Sequence, residues 1–218
     1  IEAAADEGRL HEYRRIAAFQ RTQVLDVHEI TPREIADLFP LAKTDDLAAG
    51  FYVPGDGRVN PVDLTMSLAR GAKQLGVRII EGVSAESVVT HNNQVTAVRV
   101  TQGDGTADIE CEYAVNAAGM WARELGQRNG VVIPNQAAEH YYLITEAVPG
   151  ISASWPVLED PGSYGYFREE VGGLMIGLFE PVCAPWKVEG VPDDGSFASL
   201  PPDWDRMGPY IETAMHRV

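Results

Sequence analysis

Hydrophobic positions recur at two spacings along this chain, and together they predict a mixture of helices and strands. Apolar residues three or four positions apart indicate amphipathic helices. These predicted helices cover residues 10–20, 32–39, 61–75 and 203–217. Short apolar runs and alternating apolar and polar positions indicate strands. These predicted strands cover residues 24–30, 50–53, 77–80, 87–90, 95–101, 109–117, 138–145, 165–168 and 173–179.

Two of the predicted helices carry clear start signals. Thr31 is followed by Pro32 and, three positions after Thr31, by Glu34, which is the pattern of a capping box with proline in the first turn. Asn60 is likewise a favoured N-cap residue, and it is followed by Pro61 at the first position of the predicted helix. We therefore expect helices to begin at these two points.

The order of elements predicts the fold class. Residues 60–130 give a helix, a strand, a strand–turn–strand unit, a buried strand and a short helix, which is typical of the second half of a nucleotide-binding α/β domain. After residue 136 the strands become rich in Tyr, Phe and His. The prediction is an α+β (α/β) protein that contains part of a Rossmann-like domain and an antiparallel sheet.

A turn of small residues lies between the predicted strand ending at residue 117 and the helix that follows. Asn116, Ala117, Ala118 and Gly119 form it, and residues with so little side chain let another group approach the backbone closely. The helix start behind the turn favours an anion such as a phosphate. The alternative is that Ala and Gly merely allow the helix to pack on the strand, and the residues alone leave both open.

The amino-acid composition narrows the classes of molecule that this chain is expected to bind. The chain of 218 residues has 17 basic and 32 acidic residues, which give a net charge of −15. This balance argues against nucleic acid and anionic membranes as partners, and solubility is a sufficient explanation of it. No apolar run approaches the roughly 20 residues that span a bilayer, and no secretory signal pattern is expected. The chain starts with Ile and stops after an amphipathic stretch, so we expect a piece of a larger protein.

The sequence contains no common motif for binding a metal or a cofactor. Cys111 and Cys183 are isolated and predict reduced thiols, as in a bacterial cytoplasm or the mitochondrial matrix. The five histidines show no ligand spacing, so we predict no metal site. The dinucleotide fingerprint G-x-G-x-x-G, the P-loop and the G-x-S-x-G elbow do not occur.

Four stretches together resemble a known family. They are residues 47–67 (LAAGFYVPGDGRVNPVDLTMS), 115–122 (VNAAGMWA), 139–145 (EHYYLIT) and 156–169 (PVLEDPGSYGYFRE). They look like the FAD-dependent amine oxidoreductases of the D-amino-acid-oxidase superfamily, and most of all like dimethylglycine and sarcosine dehydrogenases. The resemblance implies that the parent protein oxidises an N-methylated amino acid by hydride transfer to FAD. The alternatives are a relative that oxidises proline or glycine, and a non-catalytic fragment that cannot bind FAD on its own.

The resemblance also implies an organisation for the chain. Residues 1–58 would belong to the substrate domain, 59–130 to the FAD-binding domain and 131–218 to the substrate-facing sheet. The dinucleotide fingerprint would precede residue 1. A folate-binding domain would follow residue 218, so tetrahydrofolate is a further implied partner.

The family motifs place the expected site residues. Small residues of the turn and its neighbours would meet the cofactor: Ala85, Asn116, Ala117, Ala118, Gly119 and Trp121. Ala85 stands where relatives usually have Val, and Trp121 would serve equally as a core anchor for its helix.

Two further residues are implied to face the substrate as catalytic groups. His140 matches the His of the family's HQY segment, with Tyr141 in place of Gln, and Tyr166 matches the first Tyr of the YYRE segment. Arg168 would hold a substrate carboxylate and should share a strand face with Tyr166. The alternatives are a His and a Tyr within a sheet core and an Arg at the surface.

Overall fold

The computed structural model describes all 218 residues, and it contains five α-helices and ten strands. The helices span Glu7–Thr22 (α1), Pro32–Leu38 (α2), Pro61–Gln74 (α3), Ala122–Arg128 (α4) and Trp204–Ala214 (α5). The strands span Glu2–Ala4 (β1), His28–Ile30 (β2), Ala49–Tyr52 (β3), Ser84–His91 (β4), Gln94–Gln102 (β5), Gly105–Glu110 (β6), Tyr142–Ala147 (β7), Leu158–Asp160 (β8), Gly165–Glu170 (β9) and Gly173–Leu178 (β10). The predicted α+β class is confirmed, since the strands pair mostly antiparallel. None of the helices combines the length and apolarity that crossing a bilayer requires.

The chain divides into two compact units. The first unit consists of Ile1–Val59, His140–Cys183 and Pro201–Val218, and the second consists of Asn60–Glu139 and Ala184–Leu200. The assignment of 1–58, 59–130 and 131–218 to substrate and FAD domains stays a prediction.

The first unit is built on a seven-stranded sheet with the order β2-β3-β1-β8-β9-β10-β7. Only the β1–β8 pair is parallel. One face of the sheet packs against α2 and α5, in a core that includes Ile35, Phe167 and Met207. At the β1–β3 end, the other face packs against α1 through Tyr13 and Phe51. Helices therefore cover the sheet on both faces at one end.

The second unit combines a three-stranded antiparallel sheet, β4-β5-β6, with α3 and α4. The predicted start of α3 is confirmed, because the Asn60 side chain accepts hydrogen bonds from the backbone N–H groups of Val62 and Asp63 at 2.9 and 3.2 Å. In the first unit, Thr31 and Glu34 form the predicted capping box of α2. These caps follow from local sequence alone.

One predicted strand, 77–80, is wrong, and of another, 109–117, only Ile109 and Glu110 lie in a strand, β6. Residues 77–80 and 113–117 have apolar strand-like sequences, but neither segment pairs with another strand. Their side chains are largely exposed, and Val115 is 89% accessible. A strand needs a neighbour to satisfy its backbone N–H and C=O groups, and no strand of the 218 residues is placed beside either segment. The three-residue strands β1 and β8 were not predicted.

Candidate functional site

One face of the first unit's sheet, here called the open face, carries partly exposed side chains on β9 and β7, while all residues of β10 between them are buried. Along β9 the side chains alternate, so that Phe167 is fully buried in the core while Tyr166 and Arg168 project from the opposite face. Across the sheet, β10 places Met175 opposite Arg168, and β7 places Tyr142 on the same face. The Tyr142 side chain is 58% exposed. This open face therefore presents aromatic and charged side chains, held by the strands of the sheet, that a ligand can contact.

The side chain of Tyr166 extends from β9 over the neighbouring strand β10. Its cross-strand partner on β10 is Gly177, and its ring stacks at a tilt against Phe179, with 5.2 Å between the ring centroids. The alternative of a core tyrosine is not what the structure shows, since Tyr166 is only partly buried. Its phenol is held by aromatic and backbone neighbours on the open face.

Arg168 shares the open face with Tyr166 but is already engaged. Its Nη2 atom lies 2.9 Å from Oε2 of Glu170, and its Nε donates to Sδ of Met175 at 3.1 Å. A substrate carboxylate that binds Arg168 must share the guanidinium with Glu170 or displace that side chain. The predicted role of Arg168 and its surface alternative both stay open, since the side chain is partly exposed and already carries an ion pair.

His140 lies outside β9, the strand that carries the other two predicted catalytic and substrate residues. It is exposed and stands two positions before the first residue of β7, and β10 lies between β7 and β9. The structure thus brings Tyr166 and Arg168 together on β9 and leaves His140 beyond the end of a strand two places across the sheet.

In the second unit, the small-residue turn is held in shape by Asn116. Its Oδ1 accepts a hydrogen bond from the Ala118 N–H at 3.2 Å, and its Nδ2 donates to the Ala122 carbonyl at 2.9 Å. Gly119 adopts a left-handed φ of 56°, which only glycine adopts without strain. A Cβ at Gly119 would meet no heavy atom within 4 Å, so open space lies beside the turn.

An open cavity of about 470 Å³ brings three of the predicted cofactor residues together. Ala85, Ala118 and Trp121 line it, and its charged lining residues are Arg128, which lies 3.4 Å from Glu86, and the acids Glu86 and Asp193. Trp121 is fixed there, because its Nε1 donates to the Pro192 carbonyl at 2.8 Å. Small side chains beside an open cavity fit the approach of a dinucleotide. The predicted anion site at the start of α4 stays a prediction, and the argument for a nearby cofactor rests on the cavity instead.

A second, mostly apolar cavity of about 230 Å³ lies beside the first. Ala85 lines both cavities, while Asn116 lines only this one, among residues such as Val88 and Leu125. Ala117 and Gly119 line neither cavity. The predicted cofactor residues therefore form two groups. Some line one of the two cavities, and the others form the small-residue turn next to them.

The fold of the chain matches that of a solved protein structure. L-proline dehydrogenase from P. horikoshii superposes with a TM-score of 0.79 over 99% of this chain and 54% of that chain, at 19% sequence identity. At this identity the likeness shows the fold alone. The family model described as "FAD dependent oxidoreductase" (DAO) matches residues 1–218. The chain belongs to this family.

Relatives within the DAO family support the predicted resemblance. Rat mitochondrial dimethylglycine dehydrogenase is 34% identical over 227 residues, which cover 100% of this chain and 26% of that protein. Mouse mitochondrial pyruvate dehydrogenase phosphatase regulatory subunit is 34% identical over 222 residues, with 100% and 25% covered. Mouse mitochondrial sarcosine dehydrogenase is 31% identical over 220 residues, with 99% and 23% covered. The chain thus spans about a quarter of these relatives. The predicted resemblance and the predicted cofactor of the family, FAD, are confirmed.

Sequence reasoning missed several residues of the open face. Gly177, Phe179 and Tyr142 contribute to it and were not predicted as site residues. A signal was present for one of them: Gly177 interrupts an otherwise apolar strand, and a glycine there often marks close approach of another group.

Proposed function

We propose that the protein to which this chain belongs oxidises an N-methylated amino acid, dimethylglycine or sarcosine. The observation that carries the proposal is the similarity, over at least 99% of the chain, to two dehydrogenases named for these substrates. Bound FAD would supply the acceptor for the hydride of the N-methyl carbon.

The chain's own residues would prepare the amine. An ammonium nitrogen has no free lone pair to assist loss of hydride, so the amine must first lose its proton. We assign the proton acceptor to His140, because an imidazole changes protonation near neutral pH. The Tyr166 hydroxyl would donate to or accept from the amine and so fix its orientation.

Arg168 would bind the carboxylate of the substrate. Its guanidinium lies on the same face as Tyr166, which allows one ligand to reach both groups. Because Glu170 already pairs with this guanidinium, the substrate carboxylate would be held in a shared ion pair.

The cofactor would be held in the second unit. Ala85, Ala118 and Trp121 would line its binding cavity, while Asn116, Ala117 and Gly119 would form the turn that approaches it. We further propose a bacterial cytoplasm or the mitochondrial matrix as the compartment. Tetrahydrofolate is proposed as a partner, bound by another domain of the whole protein.

A second candidate function is regulatory. The similarity to a protein named as a regulatory subunit extends over the full chain at 34% identity, the same identity as to dimethylglycine dehydrogenase. In that case the fold would be retained without oxidation of an amine. Oxidation of proline or glycine is a weaker alternative, supported by likeness of fold.

Flavin absorbance of the full-length protein separates these candidates. Dimethylglycine, sarcosine, proline and glycine are added anaerobically, and we expect bleaching by one of the N-methylated substrates. The variants His140→Gln and Tyr166→Phe should slow bleaching, whereas Tyr113→Phe should not, since Tyr113 is exposed in the second unit. Bound flavin that none of the four bleaches would favour the regulatory candidate.

A further inference from the structure

We propose that Gly177 is a positioning residue that sets the direction of the Tyr166 phenol. By lacking a side chain, it lets the ring lie flat across β10 and carry its hydroxyl toward β7. This inference rests on the proposed function, in which Tyr166 contacts the substrate amine.

The register of the sheet places Gly177 beneath the ring. On β10, Gly177 pairs with Tyr166 of β9 on one side and with Tyr142 of β7 on the other. A Cβ on Gly177 would collide with Cζ, Cε1 and Oη of Tyr166, far inside the 3.0 Å that real Cβ atoms keep from other heavy atoms. These three atoms form the tip of the side chain. The tip therefore reaches over β10, in the direction of β7.

The backbone of Gly177 does not itself require glycine. Gly177 is not among the residues with positive φ, so a residue with a side chain could adopt its conformation. Glycine inside a strand is destabilising, because it costs conformational entropy and packs no side chain. The Tyr166 ring is what excludes a side chain from this position.

Another position of the same strand requires glycine for a different reason. A Cβ on Gly173 would meet the backbone carbonyl oxygens of Thr145 and Glu146 on β7. Gly173 thus serves the close approach of two strands, whereas Gly177 accommodates one functional side chain.

Phe179 completes the support of the ring. Its ring contacts that of Tyr166 at a 43° tilt, and its N–H donates to the Tyr164 carbonyl at 2.8 Å, which ties the residue to the segment just before β9. The phenol is therefore supported by Gly177 below and by Phe179 beside it.

The test is a double-mutant cycle in the full-length flavin-containing protein. Wild type, Gly177→Ala, Tyr166→Phe and the double variant are compared by the anaerobic rate of flavin bleaching with the substrate that bleaches the wild type. Because a misplacement of about 1 Å can cost roughly a hundredfold in rate, we expect Gly177→Ala to lower the limiting rate 10- to 100-fold. The substrate concentration at half-maximal rate should change less. In the Tyr166→Phe background the same change should cost no more than about twofold, since the hydroxyl is already gone.

A matched control and an independent readout complete the test. Gly208→Ala adds the same methyl group in α5, where nothing lies within 4 Å, and should leave the rate unchanged. Near-ultraviolet circular dichroism should differ between wild type and Gly177→Ala, and this difference should shrink in the Tyr166→Phe background.

The outcomes are distinguishable. Equal slowing by Gly177→Ala in both backgrounds, with no tyrosine-dependent change in dichroism, would overturn the inference. If Tyr166→Phe reacts at the wild-type rate, the role of Tyr166 in the proposed function fails, and the dichroism alone then decides the placement of the ring. If Gly177→Ala does not fold, Phe179→Leu replaces it. This variant removes the lateral support without adding volume, and we expect it to slow the wild type about tenfold and the Tyr166→Phe variant hardly at all.

Discussion

Arg217 and Asp160 form a buried ion pair in the first unit, with 2.6 Å between Nε of the arginine and Oδ2 of the aspartate. The Asp160 side chain is fully buried, and Nη1 of the same guanidinium lies 2.6 Å from Oδ1 of Asp46. Replacing Arg217 by Met leaves the Asp160 carboxylate buried without its counter-charge. We expect this change to lower the free energy of unfolding by about 3–5 kcal/mol, measured by urea denaturation.

Asp46→Asn is the matched control for that pair. The Asp46 side chain is 59% exposed, so its ion pair contributes much less, up to about 1 kcal/mol. The hydrogen bond from Arg217 lowers the pKa of Asp46 below its ordinary value. The contribution of Asp46 is therefore present above that ordinary value and is lost as the pH falls through the lowered one, and Asp46→Asn should remove this part of the acid dependence. Equal losses in Arg217→Met and Asp46→Asn would contradict the assignment.

The buried Tyr13 leads us to expect that the free energy of unfolding falls at alkaline pH. Burial raises the pKa of its phenol to about 12, and the charge of Glu2 adds to the effect. In the unfolded chain the phenol ionises near its reference pKa of about 10. Stability from the neutral phenol is complete below about pH 10 and is lost as the pH rises toward 12, at up to about 1.4 kcal/mol per pH unit. Urea denaturation between pH 9 and 12 should show a shallower decline for Tyr13→Phe than for the wild type or for Tyr113→Phe, which alters an exposed tyrosine.

Glu180 predicts a substitution that stabilises the chain. This residue is 6% exposed, and neither oxygen of its carboxylate has a hydrogen-bond partner. Burying an unpaired polar group costs free energy, so Glu180→Met should raise the free energy of unfolding by about 1–3 kcal/mol. Thermal denaturation of the 218-residue chain measures this change.

Another buried acid of the first unit, Glu169, supplies the contrast. Its carboxylate accepts from the Gly172 N–H at 2.8 Å and lies 2.5 Å from Nη2 of Arg58. The same replacement by Met should therefore lower stability. If both variants shift the melting temperature in one direction, hydrogen bonding does not explain the difference between the two acids.

Helix α3 predicts self-association of the 218-residue chain. None of its residues is buried, and Leu68 is 67% exposed, together with Leu64 and Val62. An apolar surface of this kind associates in water. Leu68→Lys should lower the apparent mass in concentration-dependent light scattering, while Ser67→Lys, which adds the same charge at a polar position, should change it little. Equal effects of both variants would show that charge alone is responsible.

Local signals in the sequence were enough for the helix starts, because Thr31–Glu34 and Asn60–Pro61 are complete within four residues. They were not enough for β1 and β8, which have three residues each and pair with one another across a long separation in sequence, Glu2 with Glu159. Residues 77–80 show the opposite failure, since β-branched composition favours a strand but does not supply a neighbour. For the site, strand alternation correctly placed Tyr166 and Arg168 on one face. The support that Gly177 gives Tyr166 depends on pairing between β9 and β10, which no single segment encodes.

The core face of β10 and the exposed face of its neighbour β7 have different freedom to change over evolutionary time. Leu174, Ile176 and Leu178 are locked into the core, where a change of volume costs several kcal/mol. On the open face, exposed neighbours such as Tyr142 and Ile144 can be replaced at a cost of about 0.5 kcal/mol or less. A lineage with this sheet can therefore alter the surface offered to ligands while the fold stays intact, and new ligand specificities become accessible by single substitutions.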